Sequence, residues 1–180
     1  MDSRNPTALI VAVPEVESLV AGFRTEHDPA CSEGVPAHVT LLYPFLPRFQ
    51  LTEPVLGTLR AEFAGGAAFR TMFSEVRRFP GVLYLAPRPD APFRELTDSI
   101  VRLFPQAPPY GGQFPDVVPH LTVAHASDAK RLEDIEAEFL VVAHEQLPIH
   151  ADVREVVLIE KRDGRWHTRL VFPLGKPAAP

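Results

Sequence analysis

The chain has 180 residues, 46% of them hydrophobic, and its 18 Lys and Arg against 23 Asp and Glu leave a net charge of −5. That acidity argues against a protein that coats long nucleic acids by counterion release, although it allows contact with the end of an RNA. No apolar run approaches the ~20 residues of a membrane span, no signal peptide is apparent, and the single cysteine, Cys31, fits a reducing compartment, so we expect a cytoplasmic protein without membrane contacts.

In the first part of the chain, strand and helix patterns alternate. A continuous apolar run predicts a buried strand, and the apolar residues that then recur at helical spacing predict a helix. A loop rich in turn residues leads to a second strand and a second helix. These elements are predicted as a strand over 7–13, a helix over 16–23, a loop over 28–36, a strand over 37–43 and a helix over 55–63.

The second part repeats this order of strand, helix and strand, and then adds a helix and a hairpin. Pro80-Gly81 and Asp163-Gly164 are turn signals between pairs of strands. The elements are predicted as strands over 69–79 and 82–86, a helix over 93–104, a loop over 105–119, a strand over 120–125, a helix over 127–142 and strands over 153–161 and 166–174. Each half of the chain therefore contains one β-α-β unit.

A tetrapeptide pattern is repeated in the last strand of each unit. HVTL begins at His38, and HLTV begins at His120, 82 positions later. Successive side chains of a strand point to opposite faces, so each histidine shares a face with the threonine two positions on, Thr40 or Thr122. Two imidazoles can act as base and acid on opposite sides of a phosphodiester, while two hydroxyls hold its non-bridging oxygens. The repeat predicts one shared site formed by an internal duplication.

Other chemistries fit the sequence less well. A catalytic zinc site usually takes three protein ligands, and neither motif has an Asp, Glu or Cys at a useful spacing. His125 follows His120 at an odd offset and should face away from it in a regular strand. No Walker loop or G-x-S-x-G elbow is present, which argues against a nucleotide triphosphatase or a serine hydrolase. We expect no metal and no cofactor.

The paired motifs, their spacing, and the segments 34–45 and 108–123 resemble the 2H phosphoesterase superfamily, and within it the bacterial 2'-5' RNA ligase-like proteins. The similarity extends over nearly the whole chain. It implies a bilobed α+β fold with duplicated β-α-β units, in which two mainly antiparallel sheets face each other across a central cleft. We expect a single domain over 1–180, with halves of roughly 1–80 and 81–175 that can exchange strands.

The resemblance also implies a function and the residues that perform it. His38 and His120 would be the acid/base pair, and Thr40 and Thr122 would hold the phosphate, without a metal. The implied substrates are 2',3'-cyclic phosphates or 2'-5'-linked ends of RNA or small nucleotides, and the reverse reaction is 2'-5' ligation. Either histidine can be the base, depending on the direction of reaction. The alternative is a non-catalytic nucleotide- or RNA-end-binding module that uses the same cleft, and no pattern indicates an oligomeric state.

Several further residues are candidates for substrate contacts. Many 2H proteins have an arginine shortly after the second motif, where this chain has His125. Arg77 or Arg78 could supply the missing cation, although a solvated strand edge is the simpler interpretation. Three aromatic residues could stack a base at the cleft rim, namely Tyr43, Phe45 and Tyr110. Two others are expected to pack structurally, namely Tyr84 in the core and Trp166 beside its hairpin turn.

Overall fold

The computed structural model of the protein describes residues 6–114 and 116–175, and the outermost residues of the predicted domain, 1–5 and 176–180, lie outside them. The strands in these ranges are β1 (Thr7–Ala12), β2 (His38–Leu42), β3 (Phe69–Phe79), β4 (Val82–Arg88), β5 (Leu121–His125), β6 (Ile149–Val153), β7 (Glu155–Arg162) and β8 (Arg165–Pro173). The helices are α1 (Pro14–His27), α2 (Pro29–Ser32), α3 (Glu53–Gly65), α4 (Ala91–Leu103) and α5 (Ala129–Ala143), with 3-10 turns at Arg48–Gln50 and Pro109–Gly112. The predicted α+β class is confirmed.

All the strands pair antiparallel in one curled sheet with the order β6-β3-β4-β5-β2-β1-β7-β8. The two predicted sheets are the four-stranded halves of this sheet, and they join where β2 meets β5. There Val39 lies opposite Leu121, and we refer to these two residues as the central pair. The halves do not follow the chain order, because β3 pairs with β4 and β6 whereas β7 and β8 extend the half that contains β1.

The main hydrophobic core joins one face of the sheet to the four long helices. Both residues of the central pair are fully buried in it, together with large side chains such as Phe63, Phe93 and Phe139 from α3, α4 and α5. A smaller buried cluster contains alternate residues of β1 and β7, including Ile10 and Ile159, which point to the opposite face. The core therefore leaves that second face of the sheet for the cleft. Within the described residues, no helix is long and apolar enough to cross a membrane.

β2 contains one extra residue directly after its threonine. Ile10 of β1 lies opposite Thr40, whereas the preceding residue of β1 lies opposite Leu42, so Leu41 is the extra residue. A bulged residue leaves a backbone group without a partner in the ladder and re-aims the side chains that follow. The Leu41 carbonyl accepts a buried hydrogen bond of 3.1 Å from the Thr97 hydroxyl of α4. That hydrogen bond links the bulge of β2 to α4.

β5 has a bulge at the equivalent place. Tyr84 of β4 lies opposite Thr122, whereas the preceding residue of β4 lies opposite Ala124. Val123 is therefore the extra residue, one position after the threonine of the second motif. The internal duplication thus includes an irregularity of the backbone as well as the sequence pattern and the order of elements.

Two elements differ from the sequence predictions. Strand β6 was not predicted, because its exposed positions, His150 and Asp152, leave only a short alternating apolar pattern at the edge of the sheet. The predicted loop over 28–36 contains the short helix α2. Its first turn is stabilised by the Asp28 carboxylate, which accepts a hydrogen bond of 3.0 Å from the Ala30 amide.

We expect the substitution Thr97→Val to lower the free energy of unfolding by about 1–3 kcal/mol, because it leaves the buried Leu41 carbonyl without a donor. Chemical denaturation of the variant measures this loss. Ser99→Ala is the matched control, since Ser99 is a buried hydroxyl of the same helix that bonds only to a carbonyl of that helix. Equal effects of the two substitutions would contradict a special role for the bond to the bulge.

Candidate active site

The antiparallel contact of β2 and β5 brings the two motifs together. Counting one residue outward from the central pair places His38 opposite Thr122 and Thr40 opposite His120. Because the central pair points into the core, these four side chains point to the other face of the sheet. All four line a cleft of about 370 Å³. The pairing thus sets each imidazole beside the hydroxyl of the other motif.

Both imidazoles are oriented in the same way by the backbone. The Nδ1 atom of His38 is 2.8 Å from the Pro36 carbonyl, and the Nδ1 atom of His120 is 2.8 Å from the Val118 carbonyl. A carbonyl can only accept, so Nδ1 donates in each neutral ring. The second nitrogen, Nε2, is then free of the proton and available for proton transfer in both histidines.

The cleft favours the neutral form of His38. Desolvation lowers the pKa of its imidazole from 6.5 to about 4 and outweighs the opposing effect of the Pro36 carbonyl. The positive charge of Arg24 contributes to this lowering of the pKa, and the Asp28 carboxylate opposes it. His38 is therefore an uncharged proton acceptor at neutral pH.

His120 lies in an aromatic environment. Its ring centroid is 5.2 Å from that of Phe79 and 5.6 Å from that of Tyr84, with the rings packed edge to face. Desolvation lowers the pKa of His120, the Val118 carbonyl opposes this shift, and His125 adds to it. Tyr84 itself is buried, as the sequence predicts.

Tyr110 lies over the first motif. Its hydroxyl is hydrogen-bonded with that of Thr40, and burial raises the pKa of the Tyr110 phenol. Its backbone amide donates to the Tyr43 carbonyl at 2.6 Å. Tyr110 has a left-handed backbone conformation with φ of 50°, which is uncommon for a residue other than glycine. Such conformations are kept where the surrounding structure fixes a side chain in place, and here the fixed side chain lines the cleft.

The two bulges bring one further residue of each motif strand into the cleft. His125 was expected to face away from His120, and that expectation is wrong, because the extra residue Val123 restores it to the cleft face. Tyr43 occupies the equivalent place in the first motif and also lines the cleft, with 38% of its surface exposed. The first motif and its continuation thus line the cleft with His38, Thr40 and Tyr43, and the second with His120, Thr122 and His125.

A buried ion pair lies behind this end of the cleft. Asp28 receives hydrogen bonds from the Arg24 guanidinium, with an Nη2 to Oδ2 distance of 2.9 Å, and both side chains are at most 2% exposed. Arg24 also donates to the Val35 carbonyl at 3.0 Å. The other carboxylate oxygen of Asp28 is 3.8 Å from Nε2 of His125. Neither partner was identified from the sequence, since a lone Asp after a helix is an ordinary cap.

Three candidate residues lie away from the cleft lining. Phe45 is buried in the core with its ring edge to face against Phe104, since β2 ends at Leu42 and its alternation does not reach Phe45. Arg77 pairs with Glu75 on the exposed part of β3. The remaining candidate cation, Arg78, pairs with Glu133 and Glu136 of α5. The expectation that Phe45 contacts the substrate is therefore corrected, and the exposed ion pairs of Arg77 and Arg78 agree with a solvated strand edge rather than with a cation in the cleft.

Trp166 was expected to pack only within its hairpin, but it lines the cleft. It lies opposite Lys161 in the β7–β8 pair, and its indole Nε1 donates to Glu33 at 3.1 Å. Lys161 and Glu33 line the cleft as well, and they were not identified from the sequence. The two-residue turn Asp163-Gly164 sets Trp166 opposite Lys161, which shares a face of β7 with Ile159 of the cleft lining.

The model of the 2'-5' RNA ligase superfamily matches residues 12–165, a range that includes both motif strands. The chain belongs to this superfamily. Its predicted membership of the 2H phosphoesterases is confirmed. No curated protein is significantly similar to the chain in sequence.

Solved structures of similar fold include Escherichia coli LigT complexed with NADP+, which is 20% identical, with 96% of this chain and 98% of that chain covered and a TM-score of 0.59. LigT complexed with 3'-AMP is 17% identical, with 94% and 98% covered and a TM-score of 0.62. The protein TT0787 of Thermus thermophilus is 19% identical, with 96% and 100% covered and a TM-score of 0.61. At these identities the likeness establishes the fold of this superfamily member and not its substrate.

The side chains of the cleft suit acid/base chemistry better than metal binding. Among residues 6–114 and 116–175, no three His, Cys, Asp or Glu side chains converge closely enough to hold a metal ion. The groups that do converge are two neutral imidazoles and two hydroxyls, with His125 and Tyr43 beside them.

We expect Asp28→Ala to lower the free energy of unfolding by about 3–5 kcal/mol, because it leaves the buried Arg24 charge with only the partly exposed Glu17 carboxylate, at 3.9 Å, as a counter-ion. Thermal or chemical denaturation measures the loss. Asp134→Ala is the matched control, since Asp134 forms an exposed pair with Lys130 at the same spacing of four residues. We expect that control to unfold almost as the wild type does. An Asp28→Ala variant of wild-type stability would contradict the importance of the buried pair.

Proposed function

We propose that this superfamily member is a metal-independent phosphodiesterase that opens 2',3'-cyclic phosphates or cleaves 2'-5' phosphodiester ends of RNA or nucleotides. The main support is the mirrored arrangement of His38 and His120, in which each Nδ1 is held by a carbonyl and each Nε2 is left for proton transfer. Complexes of the structurally similar LigT with 3'-AMP, ATP and NADP+ support a nucleotide as the ligand.

Hydrolysis of a cyclic phosphate requires one imidazole as a general base and the other as a general acid. One neutral histidine takes a proton from water as the water oxygen forms a bond to phosphorus. The bond from phosphorus to one ribose oxygen breaks in line, and the other histidine, as an imidazolium, gives that oxygen a proton. The product is a ribose phosphate monoester with one free hydroxyl. With a 5'-hydroxyl in place of water, the same steps join a cyclic phosphate end to that hydroxyl, and a 2'-5' linkage forms when the bond from phosphorus to the 3' oxygen breaks.

We assign His38 as the base and His120 as the acid in the direction of hydrolysis. The pKa of His38 is about 4, so its ring is neutral and ready to accept a proton over the widest range of pH. His120 must be protonated before it can act, and a bound phosphate anion next to it favours that form. Microscopic reversibility exchanges the two roles for cleavage of a 2'-5' linkage, in which the 3'-hydroxyl attacks phosphorus and the 5' oxygen leaves with a proton.

The hydroxyls and the remaining cleft residues position the phosphate. Thr40 and Thr122 donate to its non-bridging oxygens in this proposal, and the Tyr110 hydroxyl holds Thr40 in place. His125 and Tyr43 contact the substrate from the two equivalent positions that follow the bulges. Positioning of this kind, together with charge stabilisation, provides most of the catalysis of phosphoryl transfer.

A non-catalytic module that binds nucleotides or RNA ends is the second candidate. The neutrality of His38 argues against it, because an imidazole with a pKa of about 4 contributes no charge for anion binding at neutral pH. A binding site for phosphate is better formed by Arg or by helix N-termini. Two proton-transfer groups on one face are more useful to an enzyme.

We expect His38→Ala and His120→Ala each to lower kcat by about 100- to 10,000-fold on a 2',3'-cyclic nucleotide and on a short RNA with that end, with EDTA present throughout. His150→Ala is the control, because His150 is an exposed histidine of β6 outside the cleft. Product formation is followed by chromatography, which also separates 2'- and 3'-phosphates. Loss of wild-type turnover in EDTA, or full activity of either cleft variant, would contradict the proposal.

The pH dependence of kcat/KM follows from the two pKa shifts. The base must be neutral, so activity falls as pH drops through the His38 pKa of about 4. The acid must be protonated, so activity falls as pH rises through the pKa of His120, which lies below 6.5 in the free enzyme. We therefore expect a bell with its maximum below pH 6.5, measured under conditions of low substrate concentration. A maximum above pH 7 would contradict an acid/base pair in which both pKa values lie below 6.5.

A further inference from the structure

The cleft extends well beyond the two motifs. The histidines and threonines line one part of its 370 Å³, whereas the part over β1 and β7 has an apolar floor that includes Ala8, Ile10 and Ile159. This volume lies within the range of about 300–1,000 Å³ that is typical of small-ligand sites, and it exceeds what one phosphate needs. No equivalent of the apolar floor is provided by β4, where Tyr84 packs against His120.

Two aromatic rings form the wall above this floor. The ring centroids of Tyr43 and Trp166 are 6.0 Å apart and the planes meet at 68°. Trp166 is held at two points, because its indole Nε1 donates to the Glu33 carboxylate and its backbone amide donates to the Glu33 carbonyl at 2.8 Å. A ring fixed in this way can receive a flat ligand at little cost in side-chain entropy.

A carboxylate lies at the edge of the same wall. Glu33 accepts from Nζ of Lys161 at 2.6 Å with one oxygen and from Trp166 with the other. An ionised carboxylate has about four acceptor positions, so these two bonds leave capacity for a ligand N–H. The bonds from Lys161 hold the pKa of Glu33 below its ordinary value, which keeps this group an acceptor without a proton of its own.

We propose that Trp166, Tyr43 and Glu33 form a subsite for the nucleobase of the nucleotide whose phosphate lies between the motifs. The proposal rests on the proposed function for the phosphate but concerns different residues. The base stacks on the indole, and an exocyclic amino group donates to Glu33. Adenine, cytosine and guanine have such a group and uracil does not, so the subsite prefers bases with an amino group.

Trp166 is the single tryptophan of the chain, and its fluorescence therefore reports on this subsite directly. We expect adenosine 2'-phosphate to change the emission in a saturable manner and inorganic phosphate to leave it unchanged. The double variant His38→Ala/His120→Ala should still show the change with the nucleotide, since the base contacts do not require turnover. No change with the nucleotide, or an equal change with phosphate, would overturn the subsite.

Kinetics with cyclic phosphates of adenosine and uridine test the same contacts. We expect Trp166→Ala to raise KM for the adenosine substrate about 10-fold with little change in kcat, which is the effect of losing one stacked base. Phe49→Ala is the matched control, because Phe49 is an aromatic residue that is 73% exposed and outside the cleft lining. Glu33→Gln should bring the ratio of kcat/KM for adenosine over uridine down towards one. Wild-type KM in Trp166→Ala, or an unchanged ratio in Glu33→Gln, would overturn the proposal.

The two proposals fail in different ways. If the wild type changes its fluorescence with the nucleotide but hydrolyses no cyclic phosphate, the subsite stands and the proposed reaction is wrong. If the wild type hydrolyses both substrates and Trp166→Ala does so with unchanged KM, the reaction stands and the subsite is wrong.

Discussion

The structure of the site depends on one contact, the antiparallel pairing of β2 with β5 at Val39 and Leu121. This pairing joins the two halves of the sheet and sets each motif histidine opposite the threonine of the other motif. Because strand side chains alternate, a shift of the register by one residue would turn one motif away from the cleft and into the core. The burial of both central residues prevents that shift, so core packing and site geometry are secured by the same two side chains.

Sequence periodicity predicts most of the strands and helices, since apolar spacing is a local property. It also predicts that His38, Thr40, His120 and Thr122 share a site, because equivalent residues of duplicated units are brought to equivalent places. The bulges at Leu41 and Val123 are not predictable in this way, since they arise from pairing with a neighbouring strand. His125 reaches the cleft through such a non-local feature.

Duplication gives the two motifs a symmetric backbone arrangement, whereas acid/base chemistry requires one histidine to accept a proton and the other to donate one. The symmetric arrangement includes the hydrogen bonds from each Nδ1 to a carbonyl and the matching bulges. The two imidazoles differ because their surroundings differ. His120 packs against two aromatic rings, and the electrostatics of His38 include the buried charges of Arg24 and Asp28. The residue five positions after each motif histidine differs as well, with Tyr43 on one side and His125 on the other, so the two ends of the cleft offer different contacts to a ligand.

The most direct test of this account is nitrogen NMR of the histidine side chains at neutral pH, with and without adenosine 2'-phosphate. The account predicts that His38 and His120 are both neutral in the free protein, with the proton on Nδ1, and that the ligand perturbs Nε2 of both rings together. The surface residue His150 should remain unchanged. A proton on Nε2 of either cleft histidine in the free protein, or a ligand that perturbs only one of them, would contradict a shared site with two proton-transfer groups.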